Sequence, residues 1–294
     1  MRILPALSLL AVAAAAGAWW LTAPQPLPAG TFDGITGDPA RGALTFTAAG
    51  CASCHMAPAA EGEAQLVLAG GQRFPSPFGT FVAPNISPSA QGIGGWSVAD
   101  LGNALMRGVS PEGAHYYPAL PYASYAKMQP QDVADIHAYM QTLPPSDTAS
   151  APHELGFPFT IRRSIGLWKA LYLDDTWVID GDLTPEEQRG REIAEALAHC
   201  GECHTPRDAL GGMDRTRWLA GAPNPSGEGT IPNITPAKLT WSQGEIVTYL
   251  TTGFTPEFDS VGGHMAHVVA NMAGLPDSDR KAVAAYLAKV PPVE

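Results

Sequence analysis

Cysteine is scarce in this chain. Only four occur among 294 residues, all in two short strings, Cys51-Ala52-Ser53-Cys54-His55 and Cys200-Gly201-Glu202-Cys203-His204. No thiol is left over, which excludes a centre that needs a further cysteine ligand. Lysine and arginine are also few, 17 against 28 acidic residues for a formal charge of −11. That balance argues against nucleic acid and points to transient partners with basic or neutral surfaces. Between Leu4 and Ala23 charge is missing altogether, a run of about 30 Å as helix, long enough to cross a bilayer. Arg2 puts positive charge before this run, and Trp19 and Trp20 stand where an outer interfacial belt would lie. The expectation is an uncleaved anchor on the periplasmic side of a bacterial inner membrane. The small residues Ala16-Gly17-Ala18 keep open the alternative, a cleaved signal peptide and a soluble periplasmic protein.

Each cysteine string places two thiols and an imidazole at positions i, i+3 and i+4. On a helix these share a face, so the thiols reach the vinyl groups of a haem while the histidine meets the iron from below. Both strings read as c-type haem attachment sites. A redox dithiol needs no histidine directly after its second cysteine. A zinc site joining the pairs leaves unexplained the repeat around them.

That repeat is extensive. Pro84-Asn85-Ile86 recurs as Pro232-Asn233-Ile234, Trp96-Ser97 as Trp241-Ser242, and Gly108-Val109-Ser110-Pro111 as Gly253-Phe254-Thr255-Pro256, with an offset near 147 residues. Two long copies are a duplicated domain and not a solenoid. Four segments follow: 1–29 as anchor or signal, 30–145 as the first domain, 146–183 as linker, and 184–294 as the second domain. Asp38-Pro39 and Thr184-Pro185-Glu186-Glu187 start the helices that run into the two haem strings. Ser97 with Asp100 and Ser242 with Glu245 cap the middle helices, and closing helices begin near Pro130 and Pro276. The expected class is all-α, with long loops packed around haem, which supplies much of the core. The linker turns apolar around Phe157, Phe159, Leu167, Trp168, Leu171 and Tyr172, as for a segment that packs over the domain interface.

His55 and His204 supply one axial ligand each, and what sits opposite decides between electron transfer and chemistry at an open iron. In the first half Met128 is the loop candidate, while Met106 and Met140 hold helical core positions. In the second half Met265 and Met272 both qualify, and His115, His264 and His267 keep bis-histidine ligation open. The second ring nitrogen of each proximal histidine needs an acceptor, for which the Pro84 and Pro232 carbonyls are candidates. Arg162 and Arg163 could neutralise haem propionates or form a plain surface pair.

Taken together, the haem strings, Gly92-Ile93-Gly94-Gly95-Trp96, Tyr117-Pro118-Ala119-Leu120-Pro121-Tyr122 and Gly263-His264-Met265-Ala266-His267-Val268-Val269 resemble dihaem cytochromes c of two class I domains. Such chains are like the cytochrome subunits of membrane-bound alcohol, aldehyde and gluconate dehydrogenases. The resemblance spans roughly residues 38 to 292. It implies two covalent haem c groups with iron, a dehydrogenase as donor, a quinone- or oxidase-linked acceptor, and no catalytic residue. Some relatives take the first methionine ligand from a Pro-Ala-Met-Pro-Tyr string. Leu120 stands at that position here, which moves the role to Met128, and the Gly-x-Met-Ala-x-Val-Val pattern favours Met265 over Met272. The competing expectation is a dihaem enzyme resembling peroxidases or thiosulfate dehydrogenases, although the latter would want the cysteine ligand this chain lacks.

Overall fold

The computed structural model describes residues 12–14, 16–224, 227 and 229–294. The first half holds helices α1 (Pro39–Ala48), α2 (Cys51–His55), α3 (Val98–Arg107), α4 (Tyr122–Tyr125) and α5 (Pro130–Met140). The linker adds α6 (Ile165–Tyr172). The second half holds α7 (Pro185–Arg191), α8 (Gly201–His204), α9 (Gln243–Thr252), α10 (Met265–Ala273) and α11 (Asp277–Leu287). The expected caps are in place: Asp38 accepts from the Ala40 and Arg41 N–H groups, and Ser97/Asp100, Thr184/Glu187 and Ser242/Glu245 form reciprocal capping boxes.

The same crossing organises both halves. Helix α1 lies against α5 and α7 against α11, each at a glycine. A Cβ on Gly42 would stand 1.9 Å from the Asp135 carbonyl oxygen, and one on Gly190 would stand 1.9 Å from that of Ala282. Tyr139 and Tyr286 flank the two crossings, their Cβ atoms 2.9 and 2.7 Å from the same points. Only a residue without a side chain lets the helix backbones approach this closely. Beside the first crossing Arg41 grips Asp135 with two nitrogens at 2.8 and 2.9 Å. In the second half Arg189 grips Asp279 at 3.1 and 3.0 Å, one helical turn earlier on the closing helix.

Offsets between the halves change inside one helix. Gly190 follows Gly42 by 148 residues, whereas Cys200 follows Cys51 by 149. The extra residue is absorbed by a π-helical turn, Glu192–Leu197. Its Glu195 is fully buried, accepts from the Val178 and Ile179 N–H groups, and receives the Tyr286 hydroxyl at 2.7 Å. Tyr286 in turn accepts from the Trp218 indole at 3.0 Å.

The fold is mostly helical but not strictly all-α. Strands β1 (Arg73–Ser76), β2 (Gly79–Val82) and β3 (Glu154–Leu155) form an antiparallel sheet in that order, and β4 (Ala222–Pro223) pairs with β5 (Thr230–Ile231). These strands of two to four residues are too short to show alternation in the sequence. They tie down the loops between the haem strings and the middle helices. β3 belongs to the linker, whose start is bound to the first half: Asn85 Nδ2 donates to the carbonyls of Ser146 and Thr148 at 2.9 and 2.8 Å. Further on, Trp168 packs edge-on against Tyr122 and donates to the Leu210 carbonyl, so α6 touches both halves.

Residues 12–14 and 16–21 are helical. Among the described residues no helix is long and apolar enough to cross a membrane. The expected anchor thus gains no support from the structure, and the first part of the Leu4–Ala23 run lies outside the described residues.

Two outcomes follow for stability. Gly42→Ala or Gly190→Ala should each cost about 3 kcal/mol or more, since a methyl group has nowhere to go, whereas Gly95→Ala, with no atom within 4 Å of its added Cβ, should leave thermal unfolding nearly unchanged. Burial alone would raise the Asp135 pKa, but bonds from Arg41, the Asp38 N–H and Gln131 outweigh it and hold the carboxyl below 3.8. Its stabilisation is therefore present above that pH and is lost as pH falls through the lowered folded-state value. Urea unfolding of Asp135→Asn should show a stability gap to the parent protein at pH 7 that closes in acid.

Candidate haem sites

Each haem string begins after a left-handed residue, Gly50 at φ 64° and His199 at φ 42°. The turn aims the short helices α2 and α8 across the end of α1 or the π turn. Their histidines are then fixed in the same way twice. His55 Nδ1 lies 2.9 Å from the Pro84 carbonyl oxygen and His204 Nδ1 lies 2.8 Å from that of Pro232, the two expected acceptors. The His55 and His204 carbonyls accept from the Gly70 and Gly221 N–H groups, both at 2.7 Å. Burial lowers the pKa of both imidazoles, partly opposed by the proline carbonyls. A neutral ring that donates from Nδ1 presents the Nε2 lone pair to a metal.

Asn85 and Asn233 hold those prolines in place. The Asn85 side chain accepts from the Ser87 N–H, and that of Asn233 from the Thr235 N–H, both at 2.8 Å. Their amide nitrogens tie the loops to Ser146 and Thr148 in one half and to Val293 in the other.

The four cysteines form no disulfide. Burial pushes the Cys51 and Cys200 thiols up to about 12, the reverse of the lowered pKa that activates a redox dithiol. Among the described residues no three His, Cys, Asp or Glu side chains converge as a metal site would require. Beside Cys54 and His55 opens a cavity of about 630 Å³, walled by Phe81, Val82, Tyr117 and Leu120 with Arg162 among its polar residues. Thiols, a fixed imidazole and an apolar slot with a cation suit a large planar macrocycle bearing carboxylates.

Met128 is buried in the core just before α5, and Leu275 holds the equivalent place before α11, both 4 % exposed. The N–H of each bonds to the carbonyl three residues back, Tyr125 or Met272. Leu120, and not Met128, lines the first cavity. Met265 opens α10 and is half-buried, while Met272 is 2 % exposed within the core. His115 Nε2 pairs with the Thr22 carbonyl at 2.9 Å. Arg163 stacks on Trp19 at 4.1 Å, and Arg162 lies over Tyr117 at 5.4 Å. His153 was not singled out from the sequence because it sits in the linker, yet it lines the first cavity, packed edge-on against Phe81 and Tyr117.

These features set the comparison with known proteins. The sequence model of the cytochrome c family matches twice, at residues 39–144 and 187–291. The chain belongs to the cytochrome c family. It is 59 % identical over 289 residues to a "Diheme cytochrome c-type" protein of Cereibacter sphaeroides, covering 98 % of this chain and 97 % of that one. It is 38 % identical to the "Fructose dehydrogenase cytochrome subunit" of Gluconobacter japonicus over 85 % of this chain and 52 % of that protein. With the "Alcohol dehydrogenase (quinone), cytochrome c subunit" of Gluconobacter oxydans the identity is 32 %, over 86 % of this chain and 55 % of that subunit. This cytochrome spans only about half the length of those two subunits. Two cytochrome c domains imply two covalently bound haem c groups with iron.

The two halves of this cytochrome complete one another. Ser124 donates to Glu202 of the second haem string at 2.9 Å, and Asn271 donates to Ser53 of the first at 3.0 Å. Ser53 and Glu202 are equivalent, as are Ser124 and Asn271, so the contacts are reciprocal in the manner of a twofold interface. They differ in charge. Glu202, also paired with Arg207, adds to the upward push that burial gives Cys203, so its negative field reaches the second attachment site. Glu202→Gln should raise the midpoint potential of the second haem and leave the first nearly unchanged in a spectroelectrochemical titration.

Proposed function

We propose that this dihaem cytochrome carries single electrons on the periplasmic side of the inner membrane, from a dehydrogenase to a quinone- or oxidase-linked acceptor of the respiratory chain. The observation that carries this reading is the duplicated support of the proximal histidine, imidazole Nδ1 on a proline carbonyl in each half. Such support suits a centre that changes charge without moving, since a ring fixed by its own backbone loop stays put in both oxidation states. The bound haems supply a one-electron couple. The chain's part is to orient the ring, exclude water with the apolar walls of the first cavity, and present partner surfaces of opposite or neutral charge.

Met265 is proposed as the sixth ligand of the second haem and Met128 as that of the first. Met272 is committed to packing, and its carbonyl accepts from Arg280 at 2.9 Å, which leaves Met265 as the half-buried sulfur of that segment. In the first half Leu120 offers no donor atom, so the loop's remaining sulfur is Met128. The family resemblance to dehydrogenase cytochrome subunits supports the choice of partner, and the uncharged Leu4–Ala23 run supports the membrane side. A second reading, a dihaem enzyme with an open first site of the peroxidase kind, is favoured by one observation, Leu120 in the cavity wall.

Optical spectra separate the two readings. The carrier should show two low-spin haems with a methionine-to-iron charge-transfer band, of which Met128→Ala and Met265→Ala each remove about half. A Met128→Ala spectrum identical to the parent's, together with a high-spin, peroxide-reactive haem, would establish the enzyme reading instead.

A further inference from the structure

The linker leaves its outer side bare. Phe157, Phe159, Ile161, Leu167 and Leu171 are between 40 and 83 % exposed. Leu167 and Leu171, four residues apart, share one side of α6. Phe159 meets Phe78 with ring centres 5.1 Å apart, Phe78 packs on Gly211, and the neighbouring Leu210 is itself exposed and bonded through its carbonyl to Trp168 of α6. Beside α6 lie Trp19, Trp20 and Leu21, also largely exposed. They are held there by the Arg163 guanidinium over the Trp19 ring and by Gly166, which packs on Thr22 so tightly that a Cβ would stand 2.4 Å from its carbonyl oxygen. Scattered apolar side chains on a surface need no explanation, but a connected set of this extent does.

Charge is distributed unevenly around this face. The chain has 28 acidic residues, yet neither 1–32 nor 155–173 contains an Asp or Glu. Those two segments, which touch one another, carry Arg2, Arg162, Arg163 and Lys169. An apolar face built mainly from two acid-free segments, with arginine and tryptophan at its border and Asp208 bonded to the Tyr172 hydroxyl at its edge, is continuous with an uncharged run of the sequence and matches the headgroup layer of an anionic bilayer. We propose that the 157–171 face, with Trp19–Leu21 beside it, lies in the headgroup region of an anionic phospholipid membrane. The proposal rests on the membrane-side location given above and deepens it. Thr160 and Arg162 line the first cavity, so docking in this pose turns the first haem toward the bilayer and makes it the centre that exchanges electrons with a membrane-embedded partner.

Spin labels test the pose in the full-length holoprotein, whose native cysteines are all consumed by thioethers. Phe159→Cys, Leu167→Cys and Leu171→Cys are labelled singly and bound to phosphatidylethanolamine/phosphatidylglycerol vesicles, with the exposed Thr248→Cys on α9 as control. The three linker labels should show lipid contact by oxygen accessibility and the control should not. Leu167→Glu/Leu171→Glu should shift the Phe159→Cys label into water, with haem spectra unchanged. Linker labels that stay in water on a protein still bound to vesicles would overturn the proposal and leave the membrane location standing. Failure of the protein to float with vesicles would defeat both. Labels shielded only after a co-purified dehydrogenase is added would make this a protein-docking face and would equally overturn the proposal.

Discussion

Everything in this molecule is referred to the contact between two glycines and two peptide carbonyls. Where Gly42 meets Asp135 and Gly190 meets Ala282, helix backbones approach at a distance that no side chain could survive. The crossing fixes where the first helix ends, and therefore where each haem string begins. It also fixes the closing helix and with it the end of the loop that precedes it. Elsewhere in each half long loops are pinned by polar side chains such as Asn85 and Asn233. A fold of this kind sets its tightest backbone contact between two helices and leaves the loops to carry the Pro84 and Pro232 acceptors.

Much of this was legible in the residues, and for a physical reason. Cys-x-x-Cys-His couples composition to covalent geometry, so spacing alone identifies the chemistry. Capping residues such as Ser97 with Asp100 act within one turn and can be read locally. The Pro84 and Pro232 acceptors could be anticipated because the repeat placed the same proline after each haem string. Features that depend on distant pairs could not be read. Ser53 and Asn271 are 218 residues apart, and nothing in either neighbourhood announces the other. The short strands escaped because two to four residues show no period, and the π turn was visible only as a one-residue change in the repeat offset. His153 was hidden by its position in a segment read as linker.

The duplication is close in backbone and unequal in chemistry. Both proximal rings are held by the same bonds to within 0.1 Å, whereas the reciprocal contacts at the interface place a carboxylate at one string and a hydroxyl at the other. The repeat-equivalent segments differ as well, with Leu120 in the first and Met265 in the second. The two proximal histidines therefore share one pose while their surroundings differ by a charge.

The bonds made by Asn85 and Asn233 bear on what the linker is. In the second half Asn233 and Thr235 close onto Val293, a residue beyond the last helix. In the first half Asn85 and Ser87 close in the same way onto Ser146, where the chain continues into the linker. The opening stretch of the connector is thus the first domain's own tail, doing the same work as its counterpart at residue 293. The seam between the copies keeps this anchor and adds the Thr148 and Ser150 bonds to Asn85, and the residues free to acquire another role are those after it, from the third strand onward.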